Sequence, residues 1–158
     1  MAPPRPPGLD APTARCVVRL MSRVNSWIYL KTDGRWGARF LRGAPVLLLT
    51  TTGKKSGEPR TTPLLYLWHG DDVLVVASSG GMARHPFWYT NLLANPRVTM
   101  QIGGQVEPRV AEPLDPAQKA EVWPALVAMY LDFDTYQSWT DRDIPVVRLR
   151  PVPTDQGR

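Results

Sequence analysis

VLLLTTTGKKSGEPRTTP, residues 46–63, reads as a strand, a tight cationic turn and the start of a second strand. Val46, Leu47, Leu48 and Leu49 form a short apolar run, and Thr50, Thr51 and Thr52 extend it with β-branched side chains, the composition of a strand. Gly53 and Gly57 bracket the turn and Pro59 closes it. Lys54, Lys55 and Ser56 lie inside it and Arg60 just beyond. Backbone N–H groups in such a turn can form an anion-binding concavity, and the planar fork of Arg60 suits phosphate. A solvated hairpin tip has the same composition, so the stretch alone leaves both readings open. A nucleotide P-loop does not fit: Gly53-Lys54 is followed by Lys55, the position five before Gly53 is Leu48, and no helical pattern follows the turn. Any phosphate held here is held from a β-hairpin.

The chain has the length of one domain, 158 residues, enough for a real core. Its net charge of +5 favours an anionic partner: a phosphorylated cofactor, a nucleic acid or an acidic membrane face. No apolar run is long enough to span a bilayer. The proline-rich N-terminus lacks the apolar stretch of a signal peptide. Cys16, the one cysteine, allows no internal disulfide and fits a reducing compartment, so a cytoplasmic location is expected. Two histidines and one cysteine make no zinc cluster, and no metal is expected. No G-x-G-x-x-G follows a strand, and no Ser-His-Asp set can be singled out. Chemistry, on this reading, comes from a bound cofactor.

In chain order, residues 1–12 read as a disordered tail, because Pro3, Pro4, Pro6, Pro7 and Pro12 block helix and sheet. Residues 13–31 form the clearest helix. Val17, Leu20, Met21, Val24, Trp27 and Ile28 share one face, with Arg15, Arg19, Ser22, Arg23 and Ser26 opposite. Such a helix either packs on the core or touches anionic lipid, with Trp27 and Tyr29 at the interface. Residues 32–44 read as a glycine- and arginine-rich loop. The second strand continues through Leu64–Trp68, and after a turn at His69–Asp72 a third covers Val73–Ala77. Ser78-Ser79-Gly80-Gly81 follows directly, its small residues letting a flat ring or phosphate approach the backbone.

His85–Pro96 reads as a short helix that puts Phe87, Trp88 and Asn91 on one side. A hairpin pairs 97–102 with 105–112 across Gly103-Gly104. Asp115-Pro116 opens a helix to Tyr130 that Pro124 is expected to kink. Leu131–Thr140 is short and aromatic, Ile144–Leu149 a last strand, and residues 154–158 a tail. About six strands joined mainly by hairpins predict an antiparallel sheet closed into a barrel, with flanking helices, rather than a Rossmann fold.

Taken together and in this order, SRVNSWIYLKTDG, PVLLLTTTGKKSGEPRTTPL, VVASSGG, HPFWYTNLLANP, WPALVAMY and YQSWTDRDIPVV resemble the deazaflavin-dependent nitroreductases of actinobacteria, also called F420H2-dependent quinone reductases. The resemblance covers about residues 13–151. It implies a split β-barrel over residues 32–153, related to the FMN-binding oxidoreductases, that binds coenzyme F420 in place of FMN. Carried over by motif, Lys54, Lys55, Ser56 and Arg60 would hold the cofactor's phosphate and acidic tail. The strand Arg60, Thr61, Thr62, Pro63, Leu64, Leu65 and Tyr66, with Val76, Ala77, Ser78 and Ser79, would flank the deazaflavin ring. Phe87, Trp88, Tyr89, Thr90 and Asn91 would close the groove. Ser78, Tyr130 and Tyr136 would act as hydrogen-bond donors or proton relays, and Phe133 and Trp27 would line the acceptor pocket.

The implied activity is hydride transfer from reduced F420 to a quinone, menaquinone-like by preference, or to a nitroaromatic compound. The best-known nitroreductases of the family carry tyrosine where this chain has Phe133 and lysine where it has Ser79. The missing hydroxyl removes a polar contact to a nitroimidazole and leaves quinones the better acceptors. The basic helix at 13–31 implies peripheral contact with an anionic membrane at the inner face. Three other readings stand beside this one: an F420 carrier without turnover, an FMN enzyme of the same fold, and a nucleic-acid binder. The last lacks aromatics interleaved with the Lys54–Arg60 cluster, and no nucleic-acid partner is expected.

Overall fold

Six strands close into an antiparallel barrel in the computed structural model, which describes residues 2–17, 20, 24, 31 and 43–153. They are β1 (Val46–Thr52), β2 (Pro59–His69), β3 (Asp72–Val76), β4 (Arg97–Ile102), β5 (Gln105–Pro113) and β6 (Val146–Pro151), in the spatial order β1-β2-β3-β6-β5-β4. Hairpins join β1 to β2, β2 to β3 and β4 to β5, and pairing of β1 with β4 closes the ring, with Leu49 opposite Met100. Helix α1 (Phe87–Ala94) lies in the β3–β4 connection, and α2 (Pro116–Met129) and α3 (Asp132–Ser138) in the β5–β6 connection. This is the split β-barrel with flanking helices that the sequence implies.

The two-residue period of the strands builds two cores at once. Leu47 and Leu49, Val73 and Val75, and Val147 and Leu149 point inward and meet Trp88 and Leu92 of α1, which seals the barrel. Leu74, Val76 and Val146 alternate with them, point outward, and are covered by Val122 and Leu126 of α2, Tyr130 and Phe133. A one-residue slip in β3 would exchange these two sets, so burial on both faces fixes its register.

Helix α2 begins as its sequence predicts. Asp115 accepts a hydrogen bond from the Gln118 N–H, the Gln118 side chain accepts one from the Asp115 N–H, and Pro116 follows the cap. The helix continues through Pro124 as one element. Several strand boundaries differ by one or two residues from the sequence reading: β2 runs on to His69, β3 starts at Asp72, β5 ends at Pro113 and β6 continues to Pro151. β3 ends at Val76, although the Ala77 N–H still donates to the Pro145 carbonyl at 2.9 Å. β6 starts at Val146 rather than Ile144, whose side chain is buried in the outer core ahead of the strand. Asp132–Ser138, read only as a mixed aromatic stretch, is a helix.

Residues 12–17, 20, 24 and 31 are helical. Most of the helix expected at 13–31, including Trp27, and the loop expected at 32–44, as well as the tail at 154–158, lie outside the described residues. The proline-rich N-terminal segment lies against the body. Pro3 O accepts from Trp139 Nε1–H at 2.8 Å, and Asp10 Oδ1 accepts from the Ala83 N–H at 2.9 Å and pairs with Arg5.

Candidate functional site

The β1–β2 turn is shaped by its own backbone. The Gly53 N–H donates to Glu58 O and the Gly57 N–H to Gly53 O, both at 2.8 Å. A Cβ on Gly53 would stand 2.6 Å from Ser56 Oγ and 3.2 Å from Glu58 O, so a side chain there would have to push the serine hydroxyl aside and loosen the turn. The Ser56 hydroxyl accepts from the Glu58 N–H at 3.2 Å and helps to set the loop.

Asn91 of α1 then ties the turn to the body. Its Oδ1 accepts from the Lys54 N–H at 3.1 Å and its Nδ2 donates to Thr51 Oγ1 at 3.2 Å. Asn91 is only 6% exposed, and a buried amide satisfied at both ends holds its neighbours in one arrangement. Lys54, Lys55 and Arg60 are exposed, and among the described residues none of their side chains forms an ion pair. The turn therefore presents three cationic side chains that form no ion pair among the described residues, with Glu58 the one carboxylate in the loop.

The rest of the predicted groove follows β2 and the β3–α1 connection. Thr61 Oγ1 is 2.8 Å from Thr50 Oγ1 across the ladder. Thr62, Pro63, Leu64 and Leu65 are all half-buried; Leu64 packs on the barrel core and Leu65 on the outer core. Tyr66 is buried edge-on to Trp68. Val76 and Ala77 are buried in the outer and inner cores respectively. On α1, Phe87 is exposed, Trp88 buried and Tyr89 half-buried, and the Thr90 hydroxyl bonds back to Phe87 O at 3.0 Å.

Ser78 to Gly81 form a tight turn against α3. Ser79, Gly80 and Gly81 all have positive φ, at 48°, 61° and 78°. A Cβ on Gly81 would lie 2.9 Å from the Tyr136 carbonyl and 3.2 Å from Trp139, so the turn sits directly on the end of α3. The Tyr136 hydroxyl is 3.4 Å from that of Tyr130. Burial first, and then the Tyr136 hydroxyl, push the Tyr130 phenol well above its ordinary range, which keeps it protonated. Phe133 stacks edge-on with Tyr130, at 5.2 Å between ring centroids, and is sealed in the outer core.

Ser78, Tyr130 and Tyr136 therefore belong to one region, and the Lys54–Arg60 turn to another. The connection from Ser78 to Asn91 joins the two, bearing on α3 at one end and holding the cationic turn at the other.

Arg142 is a residue to which the sequence alone does not point. Its guanidinium donates to the carbonyls of Met82 at 2.8 Å, Ala77 at 3.1 Å and Ser78 at 2.6 Å. Its one sequence signal is an arginine flanked by Asp141 and Asp143 before the buried Ile144, which gives no hint of three carbonyl partners.

The sequence pattern of the F420H(2)-dependent quinone reductases matches residues 21–151. An F420H(2)-dependent quinone reductase of Mycobacterium tuberculosis (strain ATCC 25618 / H37Rv) is 43% identical over 130 residues, covering 80% of this chain and 87% of that protein. Among solved structures, an F420-H2 dependent reductase, FDR-A, superposes with a TM-score of 0.62 at 41% identity, over 67% of this chain and 94% of that one. A chain described as a domain-swapped dimer gives 0.65 at 38% identity, over 81% and 96%. With the barrel, the cationic turn and the serine–tyrosine region already in place, a match over this much of the sequence leaves one assignment: the chain belongs to the F420H(2)-dependent quinone reductase family.

Proposed function

We propose that this protein transfers a hydride from reduced coenzyme F420 to a quinone of the membrane, with nitroaromatic compounds as poorer acceptors. The observation that carries the reading is the cationic turn, unpaired among the described residues and fixed by Asn91 to the segment that bears Ser78. Lys54, Lys55 and Arg60 fit a phosphate and an acidic tail, and the half-buried run Thr62–Leu65 fits the edge of a flat ring. When bound, the reduced deazaflavin supplies a hydride from a carbon centre, in a two-electron transfer.

The protein's part is orientation and charge. The turn grips the anionic end through charge-assisted hydrogen bonds. Ser78, Tyr130 and Tyr136 stabilise the negative charge that develops on the acceptor oxygen. Tyr130, held protonated, and Tyr136, whose hydroxyl lies 3.4 Å from it, act there as hydrogen-bonding groups, and the proton that completes the reduction comes from solvent. In the test, the purified chain is titrated with oxidised F420 and, separately, with FMN, and oxidation of reduced F420 is followed on addition of menadione. Tight F420 binding with menadione-dependent oxidation is the expected result. Preference for FMN would overturn the cofactor, and binding without oxidation of any quinone would make the protein a carrier.

The membrane as the source of the acceptor is supported by the N-terminal helix. Val17, Leu20 and Val24 recur at steps of three and four residues and are 56%, 64% and 51% exposed. Such a stripe beside arginines suits an anionic lipid surface, and no helix among the described residues is long and apolar enough to cross a membrane. Replacing all three by serine should abolish sedimentation with anionic liposomes and slow turnover of long-tailed quinones at least several-fold, while menadione turnover stays at the parent level. Equal losses on both quinones would remove the lipid from the mechanism.

A further inference from the structure

We propose that Arg142 is a positioning residue of the hydride-transfer site, holding the backbone at Ser78 and Ser79 so that their N–H groups face the bound ligand. The inference rests on the reading of this region as the F420 and acceptor site.

The guanidinium is half-buried and used almost entirely on carbonyls. Nε donates to Met82 O at 2.8 Å, Nη1 to Ala77 O at 3.1 Å and Nη2 to Ser78 O at 2.6 Å. Nη1 also stands 3.2 Å from His85 Nδ1. An arginine only donates, so Nδ1 accepts and the imidazole is neutral with its proton on Nε2. Burial lowers the pKa of Arg142 from its ordinary value and Asp10 opposes the shift; the side chain remains the cation of this cluster.

The consequence for the opposite side of the chain follows from peptide geometry. In a trans peptide, the carbonyl of one residue and the N–H of the next point in opposite directions, and no cis peptide is present among the described residues. With the carbonyls of Ala77 and Ser78 turned onto Arg142, the N–H groups of Ser78 and Ser79 are turned away from it. Neither N–H has an acceptor among the described residues.

Ser78 has right-handed angles, φ −70° and ψ −37°, and Ser79 has φ 48°. A right-handed residue followed by a left-handed one brings successive N–H groups onto one concavity that receives an anion or a polarised oxygen. Ser79 is the one non-glycine residue with positive φ among the described residues. That conformation persists only where its surroundings hold it; the Arg142 bonds to the flanking carbonyls do so together with the turn's own bonds, Gly81 N–H to Ser78 O at 3.0 Å and Met82 N–H to Ser79 O at 3.2 Å. Both serines are half-buried, at the wall rather than in the core.

Two measurements test this. In the parent chain, amide hydrogen exchange at Ser78 and Ser79 should be fast alone and slow when F420 is bound; exchange that F420 leaves unchanged would overturn the proposal and needs no variant. In Arg142→Lys, one ammonium cannot span three carbonyls. F420 affinity and kcat with menadione should each fall about ten- to a hundredfold, the cost of a small misplacement of reacting groups. KM for menadione should stay near the parent value, and the absorbance of bound F420 should shift. A folded Arg142→Lys with parental affinity, spectrum and kcat would overturn the role of Arg142 alone. Failure of the parent chain to bind F420 would instead remove the site on which the inference rests.

Discussion

Replacing Lys55 and Arg60 together with alanine should weaken F420 binding about a hundredfold while leaving the fold untouched. Each side chain is exposed and forms no ion pair among the described residues, so neither contributes a contact that the folded protein would miss. Against a phosphate, a charge-assisted hydrogen bond stabilises the complex by about 1.5–3 kcal/mol. The turn is open to water, so the lower end applies. Two bonds then amount to about 3 kcal/mol, or about two orders of magnitude in Kd.

Salt dependence separates this from any indirect effect. Parent binding should weaken steeply as ionic strength rises, because exposed charges are screened within about 8–10 Å at physiological salt. The double variant should show a much flatter dependence and melt at the parent temperature. Parental affinity in the double variant would place the anionic end of the cofactor elsewhere.

Asn91 gives the same turn a second, mechanical dependence. Its amide bonds the Lys54 N–H and the Thr51 hydroxyl, so the loop's position is set by α1 as well as by its glycines. The family resemblance implies a groove role for Asn91. The structure adds that it is a strut for the cationic turn, a role no local pattern could express, since its partners lie 37 and 40 positions earlier.

The parts of the fold legible in the sequence are those written in short-range chemistry. The β4–β5 hairpin across Gly103-Gly104 and the start of α2 at Asp115-Pro116 are local signals, and both stand as read. Barrel closure follows from counting hairpins. Helix α3 was not legible because its seven residues carry no capping side chain: Leu131, at its N-cap position, makes no side-chain cap bond. Its support is tertiary: Phe133 is buried against Tyr130 and Trp123, Asp134 accepts from Trp123 Nε1–H, and Gln137 bonds the Ile144 N–H and Arg142 O. The start of β6 is not legible for a related reason. Ile144 is fully buried and looks like a strand residue, but it belongs to the outer core through its side chain and not to the ladder.

Within the site, the cationic turn is visible in the sequence because its charges are contiguous. The clamp on the β3–α1 connection is not, because Arg142 lies 60 to 65 positions beyond its three carbonyl partners. Side-chain donors to backbone carbonyls leave no mark on the residue type of the acceptor.

Gly81→Ala should be a strongly damaging single-methyl change, and comparison with Gly80→Ala explains why. Both glycines have positive φ, 61° at Gly80 and 78° at Gly81. Alanine at either position takes on the left-handed penalty of about 1–2 kcal/mol. At Gly80 nothing lies within 4 Å of the added Cβ, so the penalty ends there. At Gly81 the Cβ would meet the Tyr136 carbonyl at 2.9 Å and Trp139 Cβ and Cε3 at 3.2 Å. A backbone carbonyl cannot swing aside as a side-chain tip can, so α3 has to move, at a further cost of about 1–3 kcal/mol. The total is about 3 kcal/mol, which in a chain of this size lowers Tm by about 6–12 °C, against about half that for Gly80→Ala. Activity should separate the pair further. A shift of α3 carries Tyr136 away from Tyr130, whose hydroxyls are 3.4 Å apart, and displacement of the hydroxyl pair by a fraction of an ångström costs about ten- to a hundredfold in kcat. Gly80→Ala leaves that pair in place and should retain most of the parental kcat at a temperature where both variants are folded. If the two variants lose stability and turnover equally, left-handed strain alone governs this turn, and the close seat of Gly81 on α3 has no part in aligning the site.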